Sequence, residues 1–186
     1  MFSLVKNSAL ELKSVKNLCI VSILMALRMV VGLFSIKLTP YLVIGFGFLV
    51  YLVVGSMFGP IVSMLFGFFS DVLHFFIFPS GGASFHFGFT LSSILSVLVY
   101  GLFLYKFKLS VLRVVICQIV HDVFIFWILN TIWVSQMYFK NNFAKAFSLR
   151  IIKEIGKLPI NCILAVIVAL VLKRFAKTLM DDVSKN

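Results

Sequence analysis

Apolar residues along this chain come in long runs, interrupted only at a few prolines, glycines and short charged clusters. A run of about 20 apolar residues crosses a bilayer as a helix. Six runs of roughly that length can be marked, near residues 17–36, 41–59, 60–78, 89–105, 111–138 and 146–172. The breaks between them are chemically distinct. Lys37 to Pro40 closes the first run, and the residue before a proline resists the helical conformation. Gly59-Pro60, with no charge nearby, reads as a tight turn, while Pro79-Ser80-Gly81-Gly82 opens a longer connection. Lys106 with Lys108, and Lys140-Asn141-Asn142, mark the other two. Residues 1–16 mix Phe2, Leu4, Val5 and Leu10 with Lys6, Lys13 and Lys16, the pattern of a short helix lying at a membrane interface. The expected organisation is therefore a segment 1–16, a six-helix membrane domain 17–173 and a basic tail 174–186. The fold class is an all-α integral membrane protein, with no sequence left for a soluble domain.

Composition agrees: 62% of the residues are hydrophobic and 12% are charged, against about 25% charged in soluble domains. The net charge of +11, from 17 Lys and Arg against 6 Asp and Glu, would point to nucleic acid in a soluble protein. Here it orients the bundle, and no nucleic-acid partner is expected. Basic residues before the first span, around Lys106 and Arg113, and after the last share one side if there are six spans. Loops rich in Lys and Arg stay inside, so both termini are expected in the cytoplasm and the protein in the plasma membrane. No short apolar core with a cleavage site marks a signal peptide, so the first span is expected to stay. The three cysteines and the histidines His74, His86 and His121 have no metal-ligand spacing, and no disulfide framework is supported. Hydrolase and nucleotide-binding motifs are missing as well. Neither an enzyme nor a cofactor is expected, and any uphill transport must draw energy from another chain.

Ionisable residues inside spans are costly, which makes each a candidate for function. Arg28, Asp71 and Asp122 fall near the middle of their segments and are candidates for an internal ion pair. His121 and Asp122 are adjacent, and neighbours on a helix point about 100° apart, so they are not expected to form one site. Arg150, Lys153, Glu154 and Lys157 share a helical face near the outer end of the last span. Either they snorkel to headgroups or they attract an anionic ligand. Asn130 with Trp133 offers an amide to a heterocycle edge and an indole to its face, although Trp133 alone also suits an interfacial belt. Tyr41, Phe85 and His86 lie in the first and third outer connections, where aromatic walls and polar groups would meet as in a small-molecule pocket. Ser22 and Ala26, four apart on the first span, would let another membrane helix approach closely.

Several stretches carry a resemblance. They are Ala26-Leu27-Arg28, Ile44-Gly45-Phe46-Gly47-Phe48-Leu49, Phe58-Gly59-Pro60, Ser70-Asp71, Gly88-Phe89-Thr90-Leu91-Ser92, Asn130-Thr131-Ile132-Trp133, Arg150 to Lys153 and Pro159. Over residues 20–172 the chain resembles the folate-specific S components of energy-coupling factor (ECF) transporters. The resemblance implies a six-helix protein that captures folate from outside and works with a transmembrane coupling subunit and two cytoplasmic ATPase subunits. It implies substrate contacts at Arg28, Tyr41, Phe85, His86, Asn130, Trp133, Arg150 and Lys153, and a coupling-subunit contact at Ser22 and Ala26. His86-Phe87 stands where the family often has Phe-Pro, and Ser22 where alanine is usual. The rival expectations are an S component for another vitamin, such as riboflavin or thiamine, and a membrane scaffold that carries nothing.

Overall fold

Gly59 reverses the chain at the turn that the Gly-Pro pair predicts, and the bundle is built around that reversal. The computed structural model describes residues 2–39, 42–78, 85–107 and 109–183. In chain order the elements are α1 (Phe2–Glu11), α2 (Val15–Leu33), β1 (Ile36–Thr39), β2 (Leu42–Ile44), α3 (Phe48–Ile77), α4 (Phe87–Leu104), α5 (Val111–His121), a π-helical stretch (Asp122–Leu129), α6 (Asn130–Tyr138) and α7 (Phe143–Val183). Among the described residues, five helical stretches are long and apolar enough to cross a membrane: Val15–Leu33, Phe48–Ile77, Phe87–Leu104, Val111–Tyr138 and Phe143–Arg174.

The second of these is a folded pair. Gly59 has φ 77° and ψ −171°, outside any helical region. Tyr51 Oη lies 3.2 Å from Ser70 Oγ, whereas nineteen residues of straight helix would separate them by about 28 Å. The two arms of α3 therefore run antiparallel, which restores six helical arms. The second run starts later than the sequence suggested. Helix begins at Phe48, and before it β1 and β2 pair antiparallel with Ile36 opposite Ile44. The first arm rises only about 16 Å from Phe48 to Phe58, roughly half the hydrocarbon thickness.

Close main-chain approach joins α3 to α4. A Cβ on Gly55 would stand 2.6 Å from Tyr100 Cβ, and one on Gly67 would stand 2.7 Å from Ile94 Cα. Ser93 Oγ donates to the Gly67 carbonyl at 2.9 Å and pairs with Tyr51 Oη at 2.8 Å. Leu52, Val54, Phe66, Val97, Leu104 and Cys117 fill the core between these helices.

Helix α1 forms as predicted but does more than lie at an interface. Its fully buried Ser8 donates to the Phe58 carbonyl at 2.7 Å and accepts from the amides of Ile61 at 3.0 Å and Val62 at 3.3 Å. One hydroxyl thus satisfies groups that the Gly59-Pro60 turn leaves without helical partners. Glu11 accepts from Asn17 and from Tyr105 Oη, tying α1 to the end of α4. At the other terminus α7 continues through Pro159 to Val183, so most of the expected tail is helix.

Candidate ligand-binding site

A cavity of about 410 Å³ lies between α2, the β1–β2 hairpin, the arms of α3, the start of α4, the π-helical stretch, α6 and the first turns of α7. That size is ordinary for a small-molecule site. Of the residues predicted from the sequence, Arg28, Phe85, His86, Asn130, Arg150 and Lys153 line it together, and so does Asp71. Tyr41 lies outside the described residues.

Trp133 stands behind the wall. Its indole N–H donates to Ser92 Oγ at 3.0 Å, and its ring lies 5.6 Å from that of His86. Gly88 makes room for it, because a Cβ there would fall 2.4 Å from the indole. His86 is the N-cap of α4, its Nδ1 accepting from the Gly88 amide at 3.1 Å. The sequence reading missed Tyr51, Phe75, Phe126 and the serines Ser92, Ser93 and Ser96 in the lining. The serines carried a signal, since three hydroxyls spaced one and three apart in an apolar helix mark its inward face.

Among the described residues no salt bridge joins Arg28 to either aspartate. Asp71 Oδ2 accepts from Thr90 Oγ1 at 2.7 Å. Asp122 sits outside the cavity wall and accepts from Gln118 Nε2 at 3.0 Å and Asn161 Nδ2 at 2.9 Å, with His121 Nδ1 at 3.1 Å. His121 and Asp122 do form one cluster, against the angular argument. Both are buried where the π-helical stretch begins, and a buried polar group left unpaired costs more than bending two side chains together.

Arg28 instead lies with its guanidinium carbon 5.2 Å from the Tyr51 ring centre, a cation–π contact, and its Nε has no hydrogen-bond partner. Across the cavity, Lys153 Nζ donates to the Val43 carbonyl at 3.3 Å and pairs with Glu154 at 2.8 Å. Glu154 also pairs with Arg150 at 3.4 Å and Lys157 at 3.5 Å. Snorkelling is excluded for Arg150 and Lys157, which are buried against that carboxylate. Lys157 Nζ stands 3.7 Å over the Phe126 ring.

Arg28 Nε, Arg150 Nε and Nη1, and Asn130 Oδ1 are buried with no partner in the chain. Native proteins rarely leave buried polar groups unpaired. Two other such atoms, His121 Nε2 and Trp127 Nε1, lie elsewhere, but these four belong to residues that line one cavity walled by Phe75, Phe85, Phe89 and Phe126. The arrangement suits a flat aromatic ligand that bears hydrogen-bonding edges and negative charge.

The family model described as ECF transporter, substrate-specific component, matches residues 16–180. The chain belongs to this family. It is accordingly a multi-pass membrane protein and a transporter's substrate-binding component rather than an enzyme. Among curated relatives, the "Folate transporter FolT" of Clostridium novyi (strain NT) is 35% identical over 152 residues, covering 82% of this chain and 87% of the relative. Among solved structures, "Crystal structure of FolT bound with folic acid" superposes with a TM-score of 0.77 at 31% identity, covering 86% of this chain and 97% of that one.

Proposed function

We propose that this chain is a folate-specific S component: it captures folate from outside the cell and delivers it inward with a coupling subunit and two ATPases. The observation that carries the reading is the set of unpartnered buried polar atoms around the aromatic cavity. Folate has a flat pterin with a donor–acceptor edge, an aromatic linker and a dianionic glutamate. Asn130 and Arg28 match the pterin, the phenylalanines match the linker, and Arg150 with Lys153 matches the glutamate. Phe85 and His86 offer an aromatic wall to the ligand, a further contact is assigned to Tyr41, and Trp133 braces the α4 wall through Ser92.

Both termini are assigned to the cytoplasm of a plasma-membrane protein. The Glu11–Tyr105 hydrogen bond brings α1 to the α4–α5 connection, so the basic residues around both share an end, the inner one by the positive-inside rule. Ser22 and Ala26 are exposed on α2, and Ser22 Oγ is turned back to the Leu18 carbonyl at 2.9 Å. That leaves a small, smooth surface suited to a coupling-subunit helix.

The test is a titration of purified protein with folate, riboflavin and thiamine, read by quenching of Trp127 and Trp133. Saturation by folate alone is expected. Arg150→Ala is expected to weaken folate binding more than about tenfold, because charge-assisted hydrogen bonds contribute about 1.5–3 kcal/mol. Unchanged affinity in a folded Arg150→Ala protein would refute the assignment of that residue. Binding of another vitamin, or of none, would refute the folate reading.

A further inference from the structure

Glu154 lines no part of the cavity, yet it holds the two cations that do. Its carboxylate pairs from behind with Arg150 at 3.4 Å and Lys153 at 2.8 Å, and on its other oxygen with Lys157 at 3.5 Å. The four side chains are between 2% and 11% exposed. Glu154 thus sets one negative charge against three positive ones in a setting shielded from water, and Asp122 acts on Lys157 from outside the cavity wall. Arg150 spends only Nη2 on Glu154, and its Nε and Nη1 are the atoms left without partners. Lys153 is steered by Glu154 and the Val43 carbonyl to the cavity rim.

From this geometry we infer that Glu154 sets how strongly the site prefers ligands ending in two carboxylates over those ending in one: Arg150 and Lys153 supply the preference, and Glu154 moderates it by offsetting part of the positive charge that they and Lys157 carry. The inference rests on the folate reading and extends it to a residue that does not touch the ligand. A buried charge is unfavourable until it is paired. A dicarboxylate pairs both Arg150 and Lys153, whereas a monocarboxylate leaves one over. Lys157 enters the same count although it also stays off the cavity wall.

The experiment compares dissociation constants for folate and for pteroate, which lacks the glutamate and ends in a single carboxylate. The readout is the pteroate-to-folate ratio of dissociation constants, which does not depend on the fraction of protein that folds. Wild type is expected to favour folate by about tenfold or more. Glu154→Gln adds one unit of positive charge and should raise the ratio about threefold or more, since the added charge acts on two ligand charges instead of one. Lys157→Gln removes one unit and should lower the ratio by a similar factor. The double variant Glu154→Gln/Lys157→Gln restores the wild-type charge and should return the ratio to the wild-type value, even if its absolute affinity falls. Ratios that do not follow the charge, or equal binding of folate and pteroate by wild type, would overturn the role of Glu154 and leave the folate reading standing. Failure of wild type to bind folate at all would instead remove the reading beneath it.

Discussion

Gly47→Ala should damage ligand binding more than stability, and the reason lies in Arg28. Gly47 precedes α3 with φ −59° and ψ −22°, a conformation that alanine adopts without strain. Its Cβ, however, would stand 2.6 Å from both Cζ and Nε of Arg28 and 3.0 Å from Nη2. The guanidinium is the free end of a flexible side chain, so it would swing away and leave the main chain in place. Losing its contact with Tyr51 costs about 0.5–2 kcal/mol, and restricting the unfolded chain by Gly→Ala returns about 0.4–1 kcal/mol. The net change in stability by that count lies between a gain of about 0.5 and a loss of about 1.6 kcal/mol. Binding has no such offset. If Arg28 Nε donates to the ligand, moving it forfeits about 1.5–3 kcal/mol, which is roughly ten- to a hundredfold in the dissociation constant. Fluorescence titration with folate measures the second quantity, and thermal unfolding without ligand measures the first. Arg28→Ala should lose a similar amount, and adding Gly47→Ala to it should cost nothing further, because both act through one group. A Gly47→Ala protein that binds folate within about twofold of wild type, while Arg28→Ala loses binding, would refute the reasoning.

Substitutions at three other positions address the frame rather than the ligand. Gly59→Ala forces a side chain into φ 77° and ψ −171°, at about 1–3 kcal/mol of strain, and sets a Cβ 2.6 Å from the Tyr105 ring. A clearly lower melting temperature is expected, with unchanged folate affinity in the protein that folds. Ser8→Ala removes the hydroxyl shared by Phe58, Ile61 and Val62 and should cost about 1–3 kcal/mol, again seen in thermal unfolding and not in affinity. Asp122→Leu strips the acceptor from Gln118, Asn161 and His121 and should cost about 3–5 kcal/mol. Asp122→Asn keeps one acceptor oxygen and should cost less. The reverse order of melting temperatures would show that the carboxylate is not the hub of that cluster.

What could be read from the sequence was local chemistry set against an apolar background. A Gly-Pro pair without charges predicted the reversal at Gly59, and the spacing of Arg150, Lys153, Glu154 and Lys157 predicted one face. Arg28 stood out because a lone guanidinium in an apolar run needs a reason. Partners that lie far along the chain left no such mark. Ser8 reaches the turn at Phe58 across 50 residues, and nothing in its own neighbourhood distinguishes it from an exposed serine. The hydrogen-bond partners of the two aspartates were hidden for the same reason, since Thr90 and Asn161 come from other helices. Trp133 looked like either a ligand platform or a belt residue, and only its indole bond to Ser92 separates those roles. The hairpin of β1 and β2 and the π-helical stretch rest on backbone pairing that short apolar segments do not encode distinctly.

Helix α2 joins these threads. Met29 is its one buried residue among those described, and much of its remaining surface faces outward. Arg28 nevertheless points into the cavity wall, where Gly32, Gly47 and His74 crowd its surroundings. Ala26 is two residues earlier, about 200° away around the helix, and is exposed with Ser22 on the side turned from the bundle. The proposed ligand contact and the proposed partner contact therefore occupy opposite faces of a single lightly packed helix. Weak packing makes an element easy to displace, and a ligand that accepts from Arg28 would add a restraint near the helix's only buried side chain.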